Sequence, residues 1–171
     1  MKRNSRGFSL IELLIVVAII LIIAAIAIPN LLRSRIAANQ ASAVGSLRTL
    51  NTAEVTYATT YNTGYSSTLG DLGPYTNSPT PVATAAGLVD EVLSGSSAYQ
   101  SAATTSAKSG YTFVYTPSGT DTNGRINTYQ ITATPVVVGT TGSNFYFTDQ
   151  SGVIRQNTTT VAGSTDSPLA G

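Results

Sequence analysis

Apolar residues fill the start of the chain almost without interruption. From Phe8 to Ile28 there are 21 residues, and Glu12 is the one charged residue among them. A helix rises about 1.5 Å per residue, so this run predicts a helix of roughly 30 Å, the thickness of the hydrocarbon core of a bilayer. A soluble domain of this size needs no helix that is apolar on every side over that length. The run therefore predicts a transmembrane helix.

The helical pattern continues after this run in amphipathic form. Beyond Pro29, apolar residues recur every three or four positions, with polar residues between them. We therefore predict one helix from Ser9 to about Thr60, whose second half buries an apolar stripe against the rest of the chain. Proline removes a helical hydrogen bond and crowds the preceding turn, so we expect a kink or local melting near Ala25–Pro29.

Three tyrosines recur at helical spacing near the end of this predicted helix. Tyr57, Tyr61 and Tyr65 are four residues apart, and on a helix they would share one face. Large aromatic side chains dominate burial in cores and interfaces, so we expect the three to pack the helix against the following domain or a neighbouring molecule.

Turn residues and then a two-residue period follow the helix. The loop predicted after it contains a short helix at Thr84–Leu93, with Thr84 as N-cap and Gly95 as stop. Alternating residues then predict four strands, near 111–115, 128–134, 144–148 and 153–156. Short connections between them favour an antiparallel meander. The C-terminal tail is rich in small polar residues, and we expect it to be flexible.

Composition removes several classes of function. Charged residues are only 10% of the chain, and the formal net charge is +1. Without residues 1–7, six basic side chains face eight acidic ones, so no basic patch suggests a dedicated nucleic-acid site. The absence of cysteine and histidine removes disulfides, thiolate metal sites and the commonest general base. We expect no enzymatic activity and no cofactor.

The remaining polar motifs have plain structural interpretations. The neighbouring carboxylates of Asp90 and Glu91 would point about 100° apart on a helix, which favours a solvated face over an acid–base pair. Two fragments beginning at Asp121 and Asp149 resemble parts of calcium loops but lack the ligand pattern of about 12 residues, so turns are the favoured interpretation. The Asn157-Thr158-Thr159 sequence matches a glycosylation acceptor, a motif with many false positives.

The leader and the start of the apolar run carry a more specific motif. A short basic stretch, MKRNSRG, precedes Phe8-Ser9-Leu10-Ile11-Glu12. This combination resembles the N-terminus of type IV pilins and the related pseudopilins. The resemblance implies cleavage between Gly7 and Phe8 by a prepilin peptidase on the cytoplasmic side, followed by N-methylation of Phe8. Ordinary signal cleavage at Ala25-Ile26-Ala27 is the alternative, although the apolar run is longer than a typical signal segment.

The resemblance also implies a role for the isolated carboxylate. A charged group inside a membrane segment costs about 2.5–3.5 kcal/mol, which makes Glu12 a functional candidate. In the pilin family this residue guides assembly by pairing with the N-terminal amine of a neighbouring subunit, here that of Phe8. Such pairing would convert two costly groups into one ion pair. The alternative is that Glu12 reaches the headgroup water at the membrane surface.

The order of elements agrees with this resemblance. A long helix, a loop and a four-stranded antiparallel sheet make an α+β chain with the pilin fold. The predicted parts are a prepilin leader at 1–7, a transmembrane or filament-core helix at 8–29, an amphipathic helix half at 30–61, a loop with a short helix at 62–110, an antiparallel sheet at 111–157 and a flexible tail at 158–171. Many pilins close a C-terminal loop with a disulfide, and this chain departs from them because it has no cysteine.

The function implied is that of a structural subunit. Such a subunit sits in the inner membrane by one span, in contact with lipid, until an inner-membrane assembly platform adds it to a filament of identical copies. The filament would be an extracellular pilus or a periplasmic pseudopilus. Two alternatives stay open: a pseudopilin of a type II secretion system or minor pilin, and, from another class, a single-pass membrane-anchored binding module.

Overall fold

The computed structural model describes residues 8–74, 80–95 and 102–169. It divides into two compact units, Met1–Arg35 and Ile36–Gly171. The first helix, α1 (Leu10–Tyr61), contributes residues to both units. The two units are described separately below.

The first unit consists of the apolar part of α1. Its large hydrophobic side chains are exposed, for example Phe8 at 75% and Leu10 at 79%. A stretch of 18 residues in α1 is strongly apolar and has no buried residue, so this helix is long and apolar enough to cross a membrane. Pro29 lies inside α1, which continues through it, so the predicted local melting is not observed. A kink at Pro29 stays a prediction.

The second unit contains the remainder of α1 and a sheet. After α1 come a single 3-10 turn at Gly70–Leu72 and the short helix α2 at Glu91–Ser94. Five strands follow: β1 (Thr105–Lys108), β2 (Tyr111–Thr120), β3 (Ile126–Pro135), β4 (Phe145–Asp149) and β5 (Arg155–Asn157). They lie side by side in chain order, and every neighbouring pair is antiparallel. The predicted α+β class and antiparallel meander are confirmed.

One apolar cluster joins the second half of α1 to the inner face of the sheet. Leu47 and Leu50 of α1 are fully buried in it, together with Phe113 of β2 and Ile131 of β3. These two sheet residues alternate with outward-facing neighbours, as a strand with one buried face requires. The predicted amphipathic packing of the helix is therefore confirmed.

The tyrosine series packs as expected, although its last member lies beyond the helix. The Tyr57 and Tyr61 rings are 4.9 Å apart, and the buried Tyr57 hydroxyl donates to the carbonyl of Ala83 at 2.9 Å. Tyr65 follows the end of α1 and meets the ring of Tyr129 edge-on at 4.7 Å. All three rings therefore hold the helix end and its following loop to the rest of the second unit.

The sheet has one strand more than the sequence pattern predicts. The additional strand, β1, is the polar segment Thr105–Lys108, which pairs with β2 in a register that places Ser106 opposite Phe113. It lies at the edge of the sheet and has no apolar alternation to mark it. The strand β2 also extends through Pro117 to Thr120, beyond the end predicted near residue 115. The turn itself comes at Asp121–Gly124.

The short helix is shorter than predicted. It begins after Asp90, whose side chain caps the Leu93 N–H at 3.0 Å, and Thr84 is not its N-cap. Gly87 has a φ of +66°, a left-handed conformation that no α-helix can include, which explains the late start. Gly95 ends the helix in the left-handed conformation, as predicted.

The C-terminal segment also differs from the expectation of a flexible tail. The Gln156 N–H donates to the carbonyl of Ser167 at 3.0 Å, and the Leu169 N–H donates to that of Ile154 at 2.8 Å. The segment thus returns along β5 as far as Leu169. The polar composition that suggested flexibility instead supplies hydrogen bonds to this edge.

Candidate functional site

The candidate site lies at the N-terminal end of α1, where the isolated carboxylate sits. Ser9 immediately precedes the helix, and its N–H donates to Glu12 Oε2 at 3.0 Å. A Ser followed three residues later by Glu is the sequence signature of a capping box, in which the Glu satisfies the N–H of the capping residue. The spacing Ser9-x-x-Glu12 could have predicted this contact from the sequence.

Glu12 is therefore both a local cap and an exposed carboxyl group. It is solvent-exposed, as is Phe8 one turn away. Carboxylates are also favourable in the first turn of a helix, where the macrodipole is positive. Gly7, which precedes the predicted cleavage site, lies outside the described residues. Cleavage there would leave the Ser9 N–H in place, so the cap can persist in a mature chain.

The surface around this carboxylate is apolar. Leu10, Leu13, Leu14 and Val17 line one side of the helix next to Glu12. Exposed apolar surface of this extent is unfavourable in water, and contiguous patches larger than a few hundred Å² usually mark protein or membrane contacts. The site thus combines one acidic group with a surface that needs lipid or protein to cover it.

The acidic pair of the short helix has a structural role. Asp90 caps α2, and its Oδ2 forms an ion pair with Lys108 Nζ at 2.7 Å. Glu91 is exposed. Partial burial by itself raises the pKa of Asp90, but the hydrogen bonds from Lys108 and Leu93 outweigh it and hold that pKa below the usual value. This residue is a cap and ion-pair partner, and nothing in its geometry makes a catalytic pair.

The two fragments resembling calcium loops are turns. Asp121 Oδ1 accepts the N–H groups of Asn123 at 2.8 Å and Arg125 at 2.9 Å. Asp149 Oδ1 accepts the N–H of Ser151 at 2.9 Å in the same manner. Within the residues that the structure describes, no group of three or more His, Cys, Asp or Glu side chains could hold a metal ion.

The amide of the glycosylation motif is engaged within the protein. Asn157 Nδ2 donates to Asp166 Oδ1 at 2.9 Å, and its Oδ1 accepts the N–H of Thr159 at 2.9 Å. The nitrogen that would carry a glycan is thus part of the contact that holds the C-terminal segment. This geometry favours a structural role for the motif.

Comparison with known proteins points to the same end of the chain. The family model for the prokaryotic N-terminal methylation motif matches residues 2–28. The N-terminal segment thus carries this motif and is similar to the same part of known type IV pilins, so the resemblance seen in the sequence is confirmed.

Two curated relatives make the comparison more specific. Over 37 residues the chain is 68% identical to the type IV wide pilus major component PilA4 of Thermus thermophilus, a match covering 22% of this chain and 28% of that protein. Over 54 residues it is 50% identical to the type IV major pilin protein PilA of Myxococcus xanthus. This match covers 32% of this chain and 24% of that protein. The chain thus matches about a quarter of the length of each relative. No solved structure matches the chain significantly.

Proposed function

We propose that this chain is a structural subunit of a type IV pilus-like filament. The observation that carries the proposal is the N-terminal methylation motif at residues 2–28, which contains Gly7, Phe8 and Glu12. Support comes from two relatives named as a pilus major component and a major pilin. The predicted absence of enzymatic activity agrees with both names.

The first step of the proposed function is maturation. A prepilin peptidase removes residues 1–7 by cutting between Gly7 and Phe8 at the cytoplasmic side of the inner membrane. The new N-terminus, the amine of Phe8, is then methylated. This cut leaves the whole apolar segment on the mature chain, and the exposed hydrophobic side chains of the first unit support a membrane-embedded state before assembly.

The second step is assembly, in which Glu12 exchanges partners. In the single chain it accepts one hydrogen bond from the Ser9 N–H. In a filament it pairs with the cationic amine of a neighbouring copy's Phe8, so that neither charge stays alone in apolar surroundings. Leaving both charges unpaired in apolar surroundings costs several kcal/mol for each ion, which outweighs the single cap hydrogen bond of about 1.5–3 kcal/mol.

The apolar segments of many copies would then form the core of the filament, placed there by an inner-membrane assembly platform. The second unit would face outward and set the surface properties of an extracellular pilus. A kink at Pro29 would adjust the direction of each apolar segment. The pilus is favoured over a pseudopilus or minor-pilin role because both relatives carry pilus names.

The decisive experiment is mass analysis of the mature N-terminus. We expect a chain that begins at Phe8 and carries one added methyl group on its amine. A chain beginning at Met1 or Ile28 would rule out prepilin processing. Imaging of filaments sheared from the cell surface then separates a pilus subunit from a membrane-anchored binding module, which would be absent from such filaments.

A further inference from the structure

A buried carboxylic acid lies at the junction of helix, loop and sheet, far along the chain from Glu12. Glu54 of α1 is 0% exposed, as is Ser66 of the loop that follows the helix. Tyr115 of β2 completes the cluster and is 2% exposed. The proposed filament function makes no use of Glu54, and a buried carboxyl group needs its own explanation.

Four hydrogen-bond contacts connect these three residues. The Ser66 N–H donates to Glu54 Oε2 at 2.9 Å, and the Tyr115 hydroxyl donates to the carbonyl of Ser66 at 2.7 Å. Ser66 Oγ lies 2.6 Å from Glu54 Oε1 and also 3.2 Å from Tyr115 Oη. Both carboxyl oxygens of Glu54 thus face Ser66.

The number of protons distinguishes the two forms of Glu54. With an ionised carboxylate, three protons are available for the four contacts, because the single Ser66 hydroxyl proton cannot reach both Glu54 and Tyr115. With a protonated carboxyl, Glu54 donates to Ser66 Oγ and the serine hydroxyl is free to donate to Tyr115. Every contact then has its own proton.

We propose that Glu54 is held as a neutral carboxylic acid, whose proton completes this junction and makes it a pH-sensitive lock on the second unit. An ionised, unpaired carboxylate at a site with no water access would be far more costly than the neutral acid. The cluster contains no cation that could compensate such a charge: the one ion pair found in the described part of the chain joins Lys108 to Asp90.

The electrostatic surroundings support the neutral form. Burial raises the pKa of Glu54 above 4.5, and the nearby charge of Asp71 raises it further, while the hydrogen bonds from Ser66 and the proximity of the Tyr115 hydroxyl act in the opposite direction. The other titratable neighbours are Tyr57, Tyr115 and Tyr129, whose pKa values are all raised, first by burial. They stay neutral and supply no positive charge.

The proposal determines how stability depends on pH. The unfolded chain releases the Glu54 proton near 4.5, the ordinary pKa of a glutamate, whereas the folded chain keeps it to higher pH. Between these two values the folded state binds more protons, so its stability falls as pH rises. Below the lower value this contribution is fully present, and above the higher one it is lost.

The direct test is a carboxyl titration of the full-length chain in detergent micelles. The chain has three glutamates, Glu12, Glu54 and Glu91, so ¹³C labelling of the glutamate carboxyl carbons gives three resonances. Glu54→Gln and the control Glu91→Gln assign two of them by loss of signal. Because burial favours the neutral acid, we expect the Glu54 resonance to titrate above 4.5, the ordinary value of a glutamate. Titration of Glu54 at or below 4.5 would overturn the proposal.

An unfolding experiment tests the stability consequence. Glutamine copies the neutral acid, because its oxygen accepts the Ser66 N–H and its amide group donates to Ser66 Oγ. The unfolding constant of the wild type should rise with pH by up to about tenfold per unit within the window, and that of Glu91→Gln should do the same. Glu54→Gln should lack this slope.

The opposite outcome is also well defined. If Glu54 stabilises the fold as an anion, the glutamine variant is weakened most at neutral pH, and the wild type gains stability as pH rises. Should Glu54→Gln fail to fold, the signals lost in Glu12→Gln and Glu91→Gln identify the remaining resonance as that of Glu54, and its titration still decides the protonation state.

Discussion

Glu12 has one partner within its own chain and a second one proposed in a neighbouring copy. The first is the Ser9 N–H at 3.0 Å, which belongs to a helix cap. The second is the amine created at Phe8 by leader cleavage. The two roles need different properties, because a cap requires only an acceptor oxygen, whereas pairing with an amine requires negative charge.

Two substitutions at this residue separate the roles. Glu12→Gln keeps an acceptor for the Ser9 N–H but has no charge, and Glu12→Ala removes both. An unpaired amine in apolar surroundings costs several kcal/mol, so we expect both variants to reduce sheared filaments by more than about tenfold while membrane insertion is unchanged. Immunoblots of the sheared and membrane fractions measure the two quantities. Normal filaments from Glu12→Gln would show that capping alone accounts for this residue.

At the scale of elements, Asn51 adds polar contacts to the apolar stripe that attaches α1 to the sheet. Asn51 Nδ2 donates to Thr148 Oγ1 of β4 at 2.8 Å, and its Oδ1 accepts the Tyr129 hydroxyl of β3 at 3.1 Å. A single side chain thus connects the helix to two neighbouring strands. Both partners are buried, so neither could turn to water if the asparagine were removed.

Asn51→Ala should therefore destabilise the second unit. Leaving a buried polar group without its partner costs about 1–3 kcal/mol, and we expect a loss in that range. The neighbouring Thr52→Ala is the control, since Thr52 is exposed and its hydroxyl bonds only the Arg48 carbonyl of its own helix. That variant should change stability by no more than about 0.5 kcal/mol. Urea unfolding followed by the near-ultraviolet circular dichroism of the tyrosines measures both, and equal effects would contradict the prediction.

The strongly periodic elements were predictable from the sequence, and those held by tertiary contacts were not. The long apolar and amphipathic runs identify α1, and alternating residues such as Phe113 and Ile131 identify the central strands. Strand β1 has no such pattern, because its polar residues become a strand only by pairing with the free edge of β2. The Thr84–Leu93 segment reads as a helix, but Gly87 interrupts it with a left-handed conformation.

The functional residues also differ in how far the sequence predicts them. A charged residue in an apolar run identifies Glu12 by composition alone, and the capping box is visible in its spacing from Ser9. Glu54 looks like an ordinary polar position of an amphipathic helix. Its burial depends on Ser66 and Tyr115, which are 12 and 61 residues further along the chain, and only the folded structure brings them together.

At the scale of the whole molecule, the second unit is closed at its C-terminal edge without a disulfide. Asp166 makes this closure, since its Oδ1 accepts Asn157 Nδ2 at 2.9 Å and its Oδ2 accepts the Gly163 N–H at 2.8 Å. Its backbone carbonyl also accepts Arg155 Nη1 at 2.9 Å. These bonds hold residues 158–169 where many pilins use a covalent link.

Asp166→Ala should release this segment while the sheet stays folded. We expect proteolytic cleavage within residues 158–169 to become about 5- to 150-fold faster, because removing two side-chain hydrogen bonds lowers the cost of local opening by about 1–3 kcal/mol. Limited proteolysis with mass identification of the cut sites gives the rate. Asp121→Ala, which removes a comparable turn carboxylate elsewhere, should leave the cleavage in 158–169 at the wild-type rate.

The two borders of the sheet have a consequence for how copies can associate. Strand β1 has only four residues and adjoins Gly95 at the end of α2, where an added Cβ would come within 2.3 Å of the Thr105 carbonyl oxygen. Strand β5 has three residues and is bordered by the returning segment through Arg155 and Pro168. Long, exposed edge strands pair with the edges of other molecules and lead to amyloid-like aggregation, whereas short, covered edge strands prevent such pairing. In the proposed filament, copies packed closely together through their apolar helices would therefore be protected from pairing sheet to sheet.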